Sequence, residues 1–155
     1  MRIIDKIMLD ELSAQARNNP RRRKNHNLHP TDDFCCHRLF NAIEPDSYIR
    51  PHRHLDPAKD ETFVIVQGRL GVVTFDDSGE VATKAVLSPE GKTLAVDIPY
   101  GLFHTAVSLE PGTVFFEAKA GPYIPLGIAE KALWAPEEGA LEATDYLGKL
   151  KSFFQ

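Results

Sequence analysis

Residues 61–87, ETFVIVQGRLGVVTFDDSGEVATKAVL, carry the pattern that decides the fold. Short runs rich in Val, Ile, Phe and Thr are separated here by residues that favour turns. Gln67-Gly68 is typical of a tight reversal, and Asp76-Asp77-Ser78-Gly79 is typical of a hairpin loop in which Gly79 is free to take a positive φ. The segment therefore predicts consecutive short strands joined by tight turns.

The same pattern continues on both sides of this segment. The strand candidates are 34–43, 47–54, 61–67, 69–75, 80–87, 93–98, 104–109 and 113–119. Strands at this spacing, with no helical pattern between them, indicate an all-β sandwich or barrel and exclude a sheet built from alternating strands and helices.

Helical patterns lie only at the two ends of the chain. Residues 5–17 place apolar side chains near helical spacing before Asn18-Asn19 and Pro20, which end the helix. After a Pro-rich segment, Leu141 to Phe154 has the pattern of a closing helix. We therefore predict a single domain over 1–155, with an N-terminal helix and basic linker in 1–33, a β-barrel in 34–120, and a C-terminal segment and helix in 121–155.

The composition is that of an ordinary globular protein. The chain has 155 residues, of which 43% are hydrophobic and 26% charged, and 18 Lys+Arg against 22 Asp+Glu give a net charge of −4. No run approaches the roughly 18–20 apolar residues of a membrane span, and the first residues make a poor signal peptide. We therefore expect a cytoplasmic protein with no membrane partner, in which the adjacent Cys35 and Cys36 are two small buried hydrophobes.

One segment is locally basic. Arg17 to His29 contains Arg17, Arg21, Arg22, Arg23, Lys24 and two histidines, with no acid among them. Such a patch can hold phosphate or nucleic acid, but a single patch on an acidic chain, without interleaved aromatics, favours a solvated linker. We expect no nucleic-acid partner, and a small phosphorylated ligand if the patch binds an anion.

A cluster of possible metal ligands begins in the second strand candidate, 47–54. His52 and His54 are two positions apart, so on a strand both imidazoles lie on one face. Glu61 begins the next strand, and His104 follows Pro99-Tyr100-Gly101, a turn that would place a strand start at the barrel mouth. Three imidazoles and one carboxylate suit Zn, Fe, Mn or Ni, with positions left for water or substrate.

These motifs resemble the two sequence motifs of the cupin superfamily. The first is His52-x-His54 followed by Glu61 and Gly68, and the second is Pro99-x-Gly101-x-x-His104. The resemblance covers roughly residues 40–120 and implies a double-stranded β-helix, a small jelly-roll barrel, with His52, His54, Glu61 and His104 as metal ligands. Two features depart from the family pattern: six residues separate His54 from Glu61 instead of three or four, and Ser108 stands where Asn is common.

A narrower resemblance is to the WbuC-type cupin metalloproteins. It is carried by segments before and after the barrel: Asn41-x-x-x-Pro45-x-Ser47-Tyr48 leading into Pro51-His52-Arg53-His54, then Gly121-Pro122-Tyr123 and Trp134-Ala135-Pro136-Glu137. The likeness implies an association with bacterial O-antigen polysaccharide metabolism, and no particular reaction.

The alternation of side chains along a strand predicts further residues of the site. If His52 and His54 point inward, Tyr48 and Arg50 do so as well, and Arg50 then pairs with an anionic ligand or with a surface acid. On the last strand Glu117 and Lys119 share one face, which is either the barrel interior or the solvent side. These four residues are the predicted substrate-binding set, and Glu117 and Tyr48 are the candidates for proton transfer.

The sequence thus favours a divalent-metal cupin, an enzyme acting on a small polar metabolite such as a sugar in polysaccharide (O-antigen) metabolism. The metal-dependent reactions left open are sugar isomerisation or epimerisation and, with iron, dioxygenase chemistry. Two alternatives from other classes are a non-catalytic carbohydrate- or anion-binding module and a metal-free nucleotide-sugar epimerase. Because single-domain barrels expose sheet edges, we also expect a homodimer.

Overall fold

The computed structural model describes residues 1–155. Its helices and strands are α1 Lys6–Asn18, β1 Arg23–Asn27, β2 Cys36–Ile43, β3 Glu61–Gln67, β4 Leu70–Phe75, β5 Val81–Leu87, β6 Ala95–Ile98, β7 Phe103–Ser108, β8 Thr113–Ala120 and α2 Ala143–Ser152, with a short 3-10 helix at Ile128–Glu130. No helix has the length and the unbroken apolar sequence that crossing a lipid bilayer requires.

The strands form two sheets in which every neighbouring pair is antiparallel. The larger sheet has the order β1-β2-β8-β3-β6 and the smaller one the order β5-β4-β7. The inner faces of both sheets share one apolar core, which includes Phe63, Leu70, Ala106 and Phe115. The predicted all-β jelly-roll barrel of the cupin type, with short helices at both ends, is confirmed.

Both sheets are also covered on their outer faces. Helix α1 packs Leu9, Leu12 and Ala16 against the larger sheet. Helix α2 and the segment before it pack against the outer face of the smaller sheet, where Leu147 and Leu150 contact a cluster that contains Val73 and Val107. This double cover explains why all six residues of β7 are buried, since a strand covered on both faces has no solvent side.

The helix at the N-terminus begins and ends as its sequence predicts. The carboxylate of Asp5 accepts a hydrogen bond of 3.0 Å from the Met8 amide and so caps the first turn. The helix stops at Asn18, two residues before Pro20, whose ring is incompatible with continuing the turn.

Two sequence predictions about local structure are wrong. Residues 47–54 form no strand beyond an isolated bridge at His52, because Pro51 has no amide hydrogen to donate to a ladder. The basic segment is not simply a linker: Arg23–Asn27 pairs with β2 as the edge strand of the larger sheet, although its sequence RKNHN has no apolar alternation.

The interpretation of the cysteines is also wrong. Cys35 and Cys36 are both exposed free thiols at the start of β2, beyond the residues that the core covers.

Candidate metal centre

The structure brings together the four predicted ligand residues from three places in the chain. Glu61 begins β3 and His104 lies in β7. His52 joins them because its backbone forms a bridge with His104, with N–O distances of 3.0 and 2.8 Å. One potential ligand atom from each of His52, His54, Glu61 and His104 lies within 4.8 Å of all the others.

The six residues between His54 and Glu61 form a compact turn that closes the longer gap. The Lys59 amide donates to the Asp56 carbonyl at 2.9 Å, and the Ala58 amide donates to the Asp56 carboxylate at 3.0 Å. Glu61 Oε2 therefore lies 3.6 Å from His54 Nε2 despite the departure from the usual spacing.

Backbone carbonyls fix the tautomers of two of the imidazoles. His52 Nδ1 lies 3.0 Å from the Arg50 carbonyl, and His104 Nδ1 lies 2.9 Å from the Leu102 carbonyl. A carbonyl oxygen only accepts, so each Nδ1 carries the hydrogen and each Nε2 of the neutral ring carries a lone pair. Such contacts orient metal-binding histidines in proteins generally.

The electrostatics keep the cluster in the state that binds cations. Burial lowers the pKa of His52 to about 3, with help from the neighbouring His104, so that its imidazole is neutral. Burial alone would raise the pKa of Glu61, but contacts with His104 and His54 and the charge of Lys119 hold it well below its ordinary value. The carboxylate is therefore ionised although it is only 2% exposed.

The cluster fits a cation. His54 Nε2 is buried and has no hydrogen-bond partner in the protein. His104 Nε2 and the Glu61 carboxylate are only 2.9 Å apart, which for a neutral ring is a contact between two lone pairs unless a proton or a cation joins them. Ligands bonded to one zinc ion at about 2.0–2.2 Å lie at most about 4.4 Å apart, so small side-chain rotations would complete the site.

A buried chain of polar groups extends from Glu61 into the barrel. Lys119 Nζ lies 2.7 Å from Glu61 and 2.7 Å from Glu117, and the Asn41 amide donates to the other oxygen of Glu117 at 2.6 Å. Burial raises the pKa of Glu117 to about 7, and the charge of Glu61 adds to the rise. Burial would lower the pKa of Lys119, but the two carboxylates raise it above its ordinary value.

A cavity of about 270 Å³ inside the barrel gives access to these groups. Its inner end is lined by His52, Glu61 and His104 and by the polar chain through Lys119, and its walls include the apolar side chains of the core. Arg21, Arg23 and Lys24 lie at its outer end. The two arginines share Glu138 at 2.9 and 2.6 Å, which leaves a net positive charge around the mouth.

Two of the predicted substrate-binding residues lie elsewhere. Tyr48 is 8% exposed and its hydroxyl donates to the Pro136 carbonyl at 2.9 Å. Arg50 donates to the Ala132 carbonyl at 3.0 and 2.8 Å and to Glu137 at 3.2 Å. Neither side chain lines the barrel cavity, whereas Glu117 and Lys119 both do.

Sequence reasoning missed the role of Asn41. The register pairs Asn41 with Phe115, so its inward side chain lies diagonally opposite Glu117. The alternation of inward and outward side chains along β2 predicts its position, since Asn41 and Ile43 share the inner face of that strand.

Comparison with known proteins identifies the family and supports the fold. The family model described as "Domain of unknown function (DUF6016)" matches residues 4–87, and the chain belongs to this family. No curated protein matches the sequence.

Solved structures with the same fold have distant sequences. KdgF from Halomonas sp. is 23% identical with a TM-score of 0.52, and the match covers 68% of this chain and 84% of that one. TT1209 from Thermus thermophilus is 21% identical with a TM-score of 0.53, over 77% of this chain and 97% of that one. The pro-11S globulin of pumpkin is 14% identical with a TM-score of 0.52, over 68% of this chain and 27% of that one. At these identities the likeness concerns the fold alone.

Proposed function

We propose that this DUF6016 protein is a divalent-metal enzyme that acts on a small polar metabolite in the barrel cavity. The observation that carries the proposal is the convergence of three imidazoles and one carboxylate, one of whose nitrogens, on His54, has no partner. Three of the four residues, His52, Glu61 and His104, line that cavity. We assign His52, His54, Glu61 and His104 as the ligands. A divalent ion bound there would act as a Lewis acid on a carbonyl or hydroxyl group of the metabolite.

The protein groups beside the cluster suit proton transfer and orientation. Glu117 is buried, lines the cavity and is held in one orientation by Asn41 and Lys119. We assign it as the residue that moves a proton at the bound molecule, in preference to Tyr48, whose hydroxyl is bound to a backbone carbonyl outside the cavity. Lys119 orients both Glu61 and Glu117, and its ammonium also favours an electron-rich substrate oxygen.

The substrate class that we propose is a sugar or a phosphorylated metabolite. A cavity of about 270 Å³ that combines charged, amide and apolar walls suits a molecule with several hydroxyl groups. The positive charge at the mouth favours an anionic group on it.

We extend the proposal to a WbuC-type role in O-antigen polysaccharide metabolism, in the cytoplasm. Its support is that the C-terminal segments carrying the resemblance pack on the outer face of the barrel's smaller sheet. Trp134 packs against Phe75 and Phe103, and the Pro136 carbonyl accepts from Tyr48. We also propose a homodimer, because β5 and β6 are sheet edges, and solution scattering would test it through the mass of the particle.

Metal content tests the central proposal. Protein purified without a histidine tag should contain about one equivalent of a transition metal per chain, and His52→Ala and His104→Ala should each lose it. His26→Ala, at a histidine on the edge strand, is the matched control and should keep the metal. A wild-type protein that stays metal-free after reconstitution would favour the metal-free epimerase instead. A metal-bound protein that binds sugars without turnover would favour the binding module.

A further inference from the structure

A second cavity lies on the other side of the ligand cluster. It has a volume of about 340 Å³ and lies beneath the segment that follows β8, where Tyr123 and Ile124 are 59% and 60% exposed at its rim. His52 and His54 line it, whereas His52, Glu61 and His104 line the barrel cavity. Lys119 also lines both cavities, so the two meet at the cluster.

One cation in this second cavity has no carboxylate within ion-pair distance. Lys59 is 8% exposed, and its ammonium donates to the Pro122 carbonyl at 2.9 Å. No ion pair of the protein includes it. An ammonium has three hydrogens to donate, so a buried one with a single carbonyl partner is incompletely satisfied.

The two carboxylates that line the same cavity accept hydrogen bonds from backbone amides. Glu130 accepts from the amides of Leu55 and Gly127 at 3.2 and 2.8 Å, and Asp56 accepts from the Ala58 amide at 3.0 Å. The other lysine, Lys119, is bound to Glu61 and Glu117. The charge of Lys59 contributes to lowering the pKa of Glu130, but no carboxylate contacts its ammonium, so two of its three hydrogens remain available to a ligand.

Lys59 comes from the part of the sequence that departs from the cupin pattern. It lies in the six-residue gap between His54 and Glu61, and the turn of residues 56–59 is closed by its own hydrogen bonds. The extra residues therefore place an ammonium beside the metal ligands, in a position that a shorter gap would not provide.

From these contacts we infer that the second cavity is an oxyanion-binding subsite and that Lys59 is its anchor, holding a carboxylate or phosphate group next to the metal cluster. This inference rests on the proposed function, because the subsite acts beside the metal. The charge-assisted hydrogen bond from this buried lysine supplies the affinity, and the exposed apolar rim at Tyr123 and Ile124 admits the remainder of the ligand.

The test is direct anion binding by the metal-reconstituted full chain. Acetate and inorganic phosphate are titrated separately, and binding is followed by ligand-observed NMR on wild type, Lys59→Met and Lys59→Gln. Loss of the charged donor should weaken binding of at least one probe on the order of tenfold or more, and the probe affected identifies the oxyanion. Lys151→Met is the matched control, because Lys151 also donates to a proline carbonyl, that of Pro45 at 3.1 Å, and it should leave binding unchanged.

Metal content and far-UV circular dichroism of the same samples separate this inference from the proposed function. The subsite would be refuted if the folded, metal-containing Lys59 variants bound both probes as tightly as the wild type does. It would also be refuted if the wild type bound neither probe. A wild type that takes up no metal would instead refute the metal proposal. In that case the same titration of the metal-free chain would still decide whether Lys59 binds oxyanions.

Discussion

Replacing Lys119 by methionine should strongly destabilise the protein. The variant keeps most of the aliphatic stem and removes a charge that lies 2.7 Å from each of two carboxylates, Glu61 and Glu117. The three side chains are 21%, 3% and 10% exposed, so water screens little of the interaction. Two buried carboxylates would then remain without their shared cation.

The expected loss follows from measurements on other buried ion pairs. Removing one partner of such a pair costs about 3–5 kcal/mol. The lower end applies here, because Glu117 can take up a proton near neutral pH and Lys119 is not completely buried. A loss of about 3 kcal/mol corresponds to a decrease in Tm of roughly 6–12 °C for a chain of this length.

Urea denaturation with a chelator present measures this loss. Lys119→Arg, which keeps the cation, should be much less destabilised, and Lys84→Met should behave as the wild type because Lys84 is exposed and donates only to the Phe153 carbonyl. Adding the divalent ion should stabilise Lys119→Met more than the wild type, since the ion neutralises Glu61. A loss below about 1 kcal/mol, typical of exposed ion pairs, would refute the view that these charges are desolvated.

Three further outcomes are expected. A divalent metal at about 100 times its Kd adds about 2.7 kcal/mol to the free energy of unfolding, so the Tm of the wild type should rise by roughly 5–10 °C. An equal rise in His104→Ala would contradict the ligand assignment. Partial burial would raise the pKa of Glu138, but the contacts with Arg23 and Arg21 hold it below the usual value. The contact therefore stabilises the folded state above about pH 4.3, and this stability is lost as the pH falls through the folded-state pKa. Glu138→Gln should therefore show a smaller difference in unfolding free energy between about pH 6 and pH 3 than the wild type, and an unchanged difference would show that the contact adds nothing. Gly68→Ala should lower the free energy of unfolding by about 1–3 kcal/mol, because Gly68 has a φ of +76° and a Cβ would lie 2.8 Å from the Thr113 backbone. Gly148→Ala in α2, where a Cβ meets open space, should raise the free energy of unfolding by about 0.5–1 kcal/mol. Similar stabilities of the two variants by calorimetry would refute this reasoning.

The sequence alone predicts the barrel because short runs rich in β-branched and aromatic residues alternate with residues that are specific to turns. The four clustered residues are predictable because they match the spaced motifs His52-x-His54, Glu61 and Pro99-x-Gly101-x-x-His104, and they come together although residues 47–54 form no strand. Parity fails at Tyr48 and Arg50, because Pro51 prevents a continuous strand and the two side chains turn to the C-terminal segment. No periodicity signals that contact, which joins residues far apart in the chain.

Strand β1 shows a second limit of sequence reasoning. Its residues RKNHN have low strand propensity, and they pair with β2 because the edge of the larger sheet offers unpaired backbone groups. Lys59 shows a third limit: nothing in the local pattern distinguishes a buried lysine in a turn from an exposed one. The burial of Lys59 depends on a contact with the Pro122 carbonyl, which lies far away in the sequence.

The contact between Arg23 and Glu138 has a consequence for how the protein assembles. The two residues are 115 positions apart, so this contact beside the barrel cavity forms only after the segment containing Glu138 has left the ribosome. The four clustered residues, by contrast, all lie between positions 52 and 104. Contacts of such long sequence separation form late and slowly. A nascent chain would thus expose its cluster to the metal pool of the cell before the final segment docks, and the order of synthesis would leave a time window for metal loading.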